Sequence, residues 1–253
     1  MIPSTELVTH PDKDALLAEI DTLLRGGKGF SLATLNLDHL VKLRRDPVFL
    51  AAYRAQTHVV ADGNPVVWLS RLAGRRTELI PGSELIAPLA ALAARVGSRV
   101  ALIGSTTPVL KLTAERLVKA NPGLDVVLCH APAFGFDAQG PAADEAIAAL
   151  RACDAQLCLI ALGAPKQEIF AAYAAQTLPG CGFVSIGAGL DFIAGGQKRA
   201  PKWVRAIAME WFWRMAGNPR RLAKRYAECF MILPGLGLHA LRSRSREPVQ
   251  KDQ

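Results

Sequence analysis

The chain has 253 residues, 51% of them hydrophobic and 21% charged, and carries a formal net charge of +8. That apolar content suffices for one large core with a smaller appendage, and it excludes disorder everywhere but the two ends. No run reaches the ~18 uninterrupted apolar residues that a bilayer-crossing helix needs. Met1–Thr9 lacks the basic and apolar regions of a secretory leader, so a soluble or membrane-peripheral cytosolic protein is expected.

In chain order, short apolar runs at Phe30–Leu35, His58–Ala61, Arg99–Gly104, Asp125–Cys129, Gln156–Leu162 and Gly182–Gly187 read as buried strands. Amphipathic stretches at Ala15–Leu24, Pro47–Gln56, Pro65–Leu72, Ser83–Val96, Val109–Ala120, Ala142–Ala152 and Lys166–Gln176 alternate with them. This alternation predicts an α/β architecture, a doubly wound parallel sheet with helices on both faces. Residues 1–196 form the expected catalytic body, and 197–241 a helical basic appendage read as helices over Pro201–Ala216 and Pro219–Leu233. Pro234, Gly235 and Gly237 read as breaks in the apolar run Cys229–Leu238, and residues 242–253 as a disordered tail.

Twelve of the 30 basic residues fall between Lys198 and Arg246, where only Glu210 and Glu228 oppose them. A basic tail on a near-neutral body points to an anionic surface, either phospholipid or nucleic acid. The five cysteines show no CxxC pairing and read as reduced thiols, three of them in or beside apolar strand-like runs.

Ligands of open parallel sheets bind at the carboxyl ends of the strands. Four predicted ends carry polar or glycine content: Thr34-Leu35-Asn36, Ala61-Asp62-Gly63-Asn64, Ile103-Gly104-Ser105-Thr106 and Gly163-Ala164-Pro165-Lys166-Gln167-Glu168. Gly104 and Ser105 before a helix could cradle a phosphate, or Ser105 or Thr106 could simply cap that helix. Asp62 could act as general base toward a sugar hydroxyl, or as an Asx-turn residue. His39 reads equally as a ligand contact or a helix-surface histidine. The one Asp-x-Asp triplet, Asp12-Lys13-Asp14, suits a helix N-terminus better than a metal. No other spacing of His, Cys and carboxylates suggests a metal site, so a metal-independent reaction without a cofactor is expected.

Taken together, Thr34-x-Asn36, Ala61-Asp62-Gly63, Gly163-x-Pro165-Lys166-Gln167-Glu168, Asp191-Phe192-x-x-Gly195, Arg199-Ala200-Pro201 and Glu210-Trp211-x-x-Arg214 resemble the WecG/TagA/CpsF glycosyltransferases. The resemblance extends through Asn218-Pro219-Arg220-Arg221-Leu222 and Arg225-Tyr226. It implies a Rossmann-like sheet with a C-terminal appendage that completes the active site at the inner face of the cytoplasmic membrane. It further implies inverting transfer of a sugar, N-acetylmannosamine or glucose in type, from UDP to a polyprenyl-diphosphate-linked sugar in surface-polymer or exopolysaccharide assembly.

By matching position, Asp62 resembles the general base, and Thr34 and Gln167 substrate-positioning groups with Asn36 close to them. Gly63, Asn64, Gly104, Ser105, Gly163, Lys166, Asp191 and Arg199 complete the expected substrate site. Arg214, Arg221 and Arg225 are the expected diphosphate contacts, since arginine forks suit phosphate oxygens. The family pattern has an arginine where Leu79 stands before Gly82: either Arg75 or Arg76 replaces it, or the donor's diphosphate is held differently, or the chain is less active.

An NAD(P) oxidoreductase is the first competitor, weakened by the missing GxGxxG. A nucleic-acid-binding module is the second, and the tail's mixture of tryptophans and apolar positions argues against it. The expected partners are therefore a UDP-sugar, a lipid-linked acceptor and an anionic membrane. The state of oligomerisation is left open, a homo-oligomer included.

Overall fold

A computed structural model describes residues 6–196 and 219–244, with Pro201, Val204, Met209, Phe212, Trp213 and Met215 between them. The order is α1 (Lys13–Arg25), β1 (Phe30–Leu35), α2 (Leu37–Leu43), α3 (Pro47–Arg54), β2 (His58–Ala61), α4 (Asn64–Leu72) and α5 (Gly82–Val96). Then follow β3 (Arg99–Gly104), α6 (Thr107–Ala120), β4 (Asp125–His130), α7 (Pro141–Ala152), β5 (Leu157–Ala161), α8 (Lys166–Thr177), β6 (Gly182–Ser185), α9 (Gly189–Ile193) and α10 (Pro219–Arg244). All six strands are parallel, in the order β2-β1-β6-β5-β3-β4. The α/β doubly wound expectation is met.

Period-two alternation sorts the strand side chains between two helical layers. Leu32, Val100, Leu102, Leu157, Leu159 and Val184 join the core under α1, α5, α6 and α9. Ala101, Ile103, Cys158, Ile160 and Phe183 meet α7 and α8 on the other face. There Ala33, Leu35, Val59 and Ala61 meet α2, α3 and α4. Asp12, Asn36 and Asp46 each accept a backbone N–H at the start of a helix, so the Asp12-Lys13-Asp14 triplet begins α1 as expected. All five cysteines are free, with Cys158, Cys181 and Cys229 buried.

Three expectations need correction. The sequence patterning named no element for Gly189–Ile193, a helix too short to show a period. Pro234, Gly235 and Gly237 do not end the last helix, which continues to Arg244. Pro234 lies on the exposed side, where water can take the carbonyl bond that proline cannot complete. One turn beyond it, Leu236 and Ala240 are each 1% exposed and packed into the cluster of α2 and α4. This packing outweighs the poor helix propensity, and it also orders Arg242–Arg244, expected as disordered. Residues 245–253 lie outside the described set.

Candidate active site

Parallel strands bring all their carboxyl ends to one edge, and the candidate residues collect there. At the end of β1, Thr34 is 3% exposed, and its hydroxyl donates to the Ser185 carbonyl of β6 at 3.5 Å. Asn36 follows and caps α2 through Oδ1, which accepts from the His39 N–H at 3.0 Å. At the end of β2, the Asp62 N–H donates to the Leu35 carbonyl at 2.8 Å. Gly63 has φ 125°, a left-handed conformation that glycine tolerates, and it leads directly into α4 at Asn64. A Cβ placed on Gly63 would stand 3.9 Å from Asn36 Cβ, so the two strand ends abut. The N-terminus of α5 closes on them, because a Cβ on Gly82 would lie 3.2 Å from Thr34 Cγ2.

Across β6 the edge continues through Gln167, whose Oε1 accepts from the Gly187 N–H at 3.1 Å. Its Nε2 donates to Glu168 Oε1 at 2.8 Å, and its backbone N–H bonds the Gly163 carbonyl at 3.1 Å. Gln167 is thus a buried brace between the start of α8 and the loop after β6. At β3, the Ser105 N–H bonds the Ala161 carbonyl, and Ser105 Oγ donates to Asp191 Oδ1 of α9 at 3.1 Å. A carboxylate at that distance disfavours a phosphate on the Ser105 hydroxyl and suits a sugar hydroxyl. Lys166 is exposed on the first turn of α8.

Among the three residues matched to catalysis, Asp62 alone offers more than a trace of surface to a reactant. Thr34 and Gln167, at 3% and 2% exposure, shape the floor beneath it. Behind that floor lies a buried polar group that spacing did not reveal. Glu168 has no exposed surface, and burial pushes its carboxyl up to about 7. Its Oε2 has no hydrogen-bond partner among the described residues, and its Oε1 lies 4.0 Å from His39 Nδ1. His39 is neither a surface residue nor an open ligand contact. It is 5% exposed, bonded to the Tyr53 hydroxyl at 2.8 Å, and burial holds its pKa down to about 3. Burial raises the Tyr53 phenol, and the Glu168 and Asp62 charges add to that shift.

The basic residues divide. Arg225 of α10 pairs through Nε with Asp38 Oδ1 at 3.1 Å, and Lys42 Nζ holds Asp38 Oδ2 at 2.9 Å. Lys42 also donates to the Ala164 carbonyl at 3.1 Å, so α10 is linked through Asp38 and Lys42 to the loop between β5 and α8. Arg199 and Arg214 lie outside the described residues, as does the side chain of Arg221. Leu79 is 40% exposed, next to Ile80, whose N–H bonds the Ala61 carbonyl at 2.8 Å. The position lacking the family arginine therefore borders Asp62.

The chain belongs to the WecG/TagA/CpsF family of glycosyl transferases, whose family model matches residues 5–249. It is accordingly a glycosyltransferase. Two similar proteins are named N-acetylglucosaminyldiphosphoundecaprenol N-acetyl-beta-D-mannosaminyltransferase. The one from Bacillus spizizenii is 28% identical over 201 residues, covering 79% of this chain and 76% of the relative. The one from Bacillus subtilis is 26% identical over 196 residues, covering 76% and 73%.

Proposed function

We propose that the protein transfers a sugar of the N-acetylmannosamine type from UDP to a sugar on polyprenyl diphosphate, with inversion and without a metal in the reaction. The observation that carries this reading is the strip of strand ends from Asp62 to Asp191, joined by direct contacts and with the half-buried Asp62 carboxylate at one end. The printed names of the two Bacillus relatives favour this donor and a lipid-linked N-acetylglucosamine acceptor.

Asp62 takes the proton from the acceptor hydroxyl as that oxygen attacks the anomeric carbon. The bond to UDP breaks on the opposite face, and this single displacement inverts the centre. Asn36, Asn64 and the Ser105–Asp191 pair orient sugar hydroxyls, while the buried Thr34 and Gln167 hold the strand ends in register. Arg225, with Arg199, Arg214 and Arg221, supplies positive charge to the departing diphosphate.

The acceptor's lipid requires a membrane, and α10 carries a suitable surface for the inner leaflet. Ala223, Ala227, Phe230, Met231, Pro234, Leu238 and Leu241 are exposed at helical spacing, with Met231 at 71% and Leu238 at 59%. Arg220, Lys224, Arg242 and Arg244 flank this stripe and suit anionic headgroups. No described helix is long and apolar enough to cross a membrane.

The test measures UDP release from a panel of UDP-sugars in EDTA, with and without a short-chain lipid-diphosphate N-acetylglucosamine acceptor. Acceptor-dependent release from UDP-N-acetylmannosamine, with the β-linked product, is expected. Release requiring an added divalent ion, or a product retaining the donor's configuration, would overturn the mechanism.

A further inference from the structure

Away from the catalytic edge, His58 opens β2, the edge strand of the sheet. The segment before α1 runs along that strand, since the Thr9 and His10 N–H groups both donate to the Val59 carbonyl at 3.0 and 3.1 Å. Glu19 projects from α1 into the same corner. His10 Nε2 lies 3.0 Å from Glu19 Oε2, and His58 Nε2 lies 3.2 Å from Glu19 Oε1. The two imidazoles stack with their centroids 4.2 Å apart. One ligand atom from each of the three residues falls within 4.8 Å of the other two.

The hydrogen bonds behind these rings suit a tautomer in which Nε2 faces the corner as an acceptor. Thr57 Oγ1 donates its one proton to the Ser31 carbonyl at 3.0 Å and accepts from the Ser31 N–H at 2.8 Å. With that proton on the Ser31 carbonyl, Thr57 Oγ1 accepts from His58 Nδ1 at 2.7 Å, the tautomer that a metal on Nε2 requires. His58 Nε2 is left with a lone pair. In that tautomer it is buried without a geometric hydrogen-bond partner among the described residues, and it faces Glu19 Oε1 at 3.2 Å. A nitrogen lone pair facing a carboxylate is satisfied either by a proton on Nε2, which makes an ion pair with Glu19, or by a metal ion. Thr9 Oγ1, 2.9 Å from His10 Nδ1, can hold the second ring in the same tautomer.

We propose that His10, Glu19 and His58 form a structural binding site for a divalent transition-metal ion of the zinc class. Two imidazoles and one carboxylate are a common zinc donor set, with water completing the tetrahedron. Zinc–ligand bonds of about 2.0–2.1 Å place tetrahedral ligand atoms roughly 3.3 Å apart, and the two imidazole nitrogens lie 3.0 and 3.2 Å from separate oxygens of Glu19, within reach of such a set after a small closure. The threonine hydroxyls supply the outer hydrogen bonds that fix metal-bound histidines. Glu19, with half of its side chain exposed, gives the ion a path from solvent. Nitrogen donors select zinc, cobalt or nickel over magnesium and calcium. The ion would clip the N-terminal segment and α1 to the sheet's edge strand, and it takes no part in sugar transfer.

The test uses the full chain, stripped of metal and returned to chelator-free buffer at neutral pH. Zinc chloride and magnesium chloride are titrated separately, with bound metal measured by elemental analysis and the unfolding midpoint by calorimetry. One zinc per chain is expected, with a midpoint raised by several degrees and no response to magnesium. Glu19→Gln and His10→Ala should each weaken zinc binding roughly tenfold or more and abolish that rise. Glu19 is half exposed and Glu19→Gln keeps its shape, so the zinc-free midpoint of that variant should stay near that of the parent. Acceptor-dependent UDP release in EDTA should be unchanged by either variant, which separates this site from the transferase reading. No stoichiometric zinc on the parent chain, or equal affinity in the variants, would overturn the site.

Discussion

Asp62 follows β2 and Glu168 sits in the first turn of α8, and their surroundings set them apart. Asp62 meets solvent at the end of β2 and can exchange a proton with a bound hydroxyl. Glu168, with no exposed surface, cannot touch a substrate, and its acid form is favoured up to about 7. Its folded pKa exceeds the unfolded value, so its contribution to stability is complete below about pH 4.5 and is lost as pH rises through about 7. Glu168→Gln keeps the shape and removes the charge. Denaturant unfolding should therefore show the variant gaining roughly 1–3 kcal/mol on the parent between pH 5 and pH 8. A stability difference that does not change with pH would contradict a buried, protonatable Glu168. The strand end followed by glycine marked Asp62 for inspection, and the family resemblance supplied its expected role as base. His39 and Glu168 were not legible in the sequence, since helix spacing does not tell which of several buried faces a polar residue meets.

At the scale of elements, the strands could be read closely because each is short, apolar and bounded by turn residues. Their order in the sheet could not, because the return of β6 to lie between β1 and β5 depends on packing between residues far apart in the chain. The same distance hid the His10–Glu19–His58 corner, whose members come from a loop, a helix and a strand. Gly104 shows how tightly the elements are locked at the catalytic edge. Its φ is 111°, and a Cβ there would lie 2.3 Å from the Ala161 carbonyl oxygen. Gly104→Ala must part β3 from β5 or shift the start of α6, and should cost roughly 2–4 kcal/mol in chemical denaturation. A cost below about 0.5 kcal/mol would show that the two strand ends are not in contact as described.

At the scale of the molecule, the sheet edge proposed for the chemistry is joined to a helix that carries an apolar stripe. Arg225 links the two through Asp38 and Lys42, so the surface suited to lipid lies beside the loop that leads to Gln167. Composition alone exposed the basic tail, whereas the continuation of α10 past Pro234 came from burial of Leu236 and Ala240 on the body. Replacing Met231 and Leu238 together with glutamate should weaken sedimentation with anionic vesicles roughly tenfold or more, since it removes buried apolar area and adds repulsion. The unfolding midpoint should hardly change, because both side chains are exposed. Unaltered vesicle binding would place the membrane contact elsewhere. The account rests most heavily on Asp62, and the most direct measurement compares Asp62→Asn with the parent in acceptor-dependent UDP release at saturating donor and acceptor. A loss of about 10²–10⁴-fold in kcat, with UDP affinity retained, is the predicted result. Activity within a few-fold of the parent would contradict the assignment of Asp62 as the base.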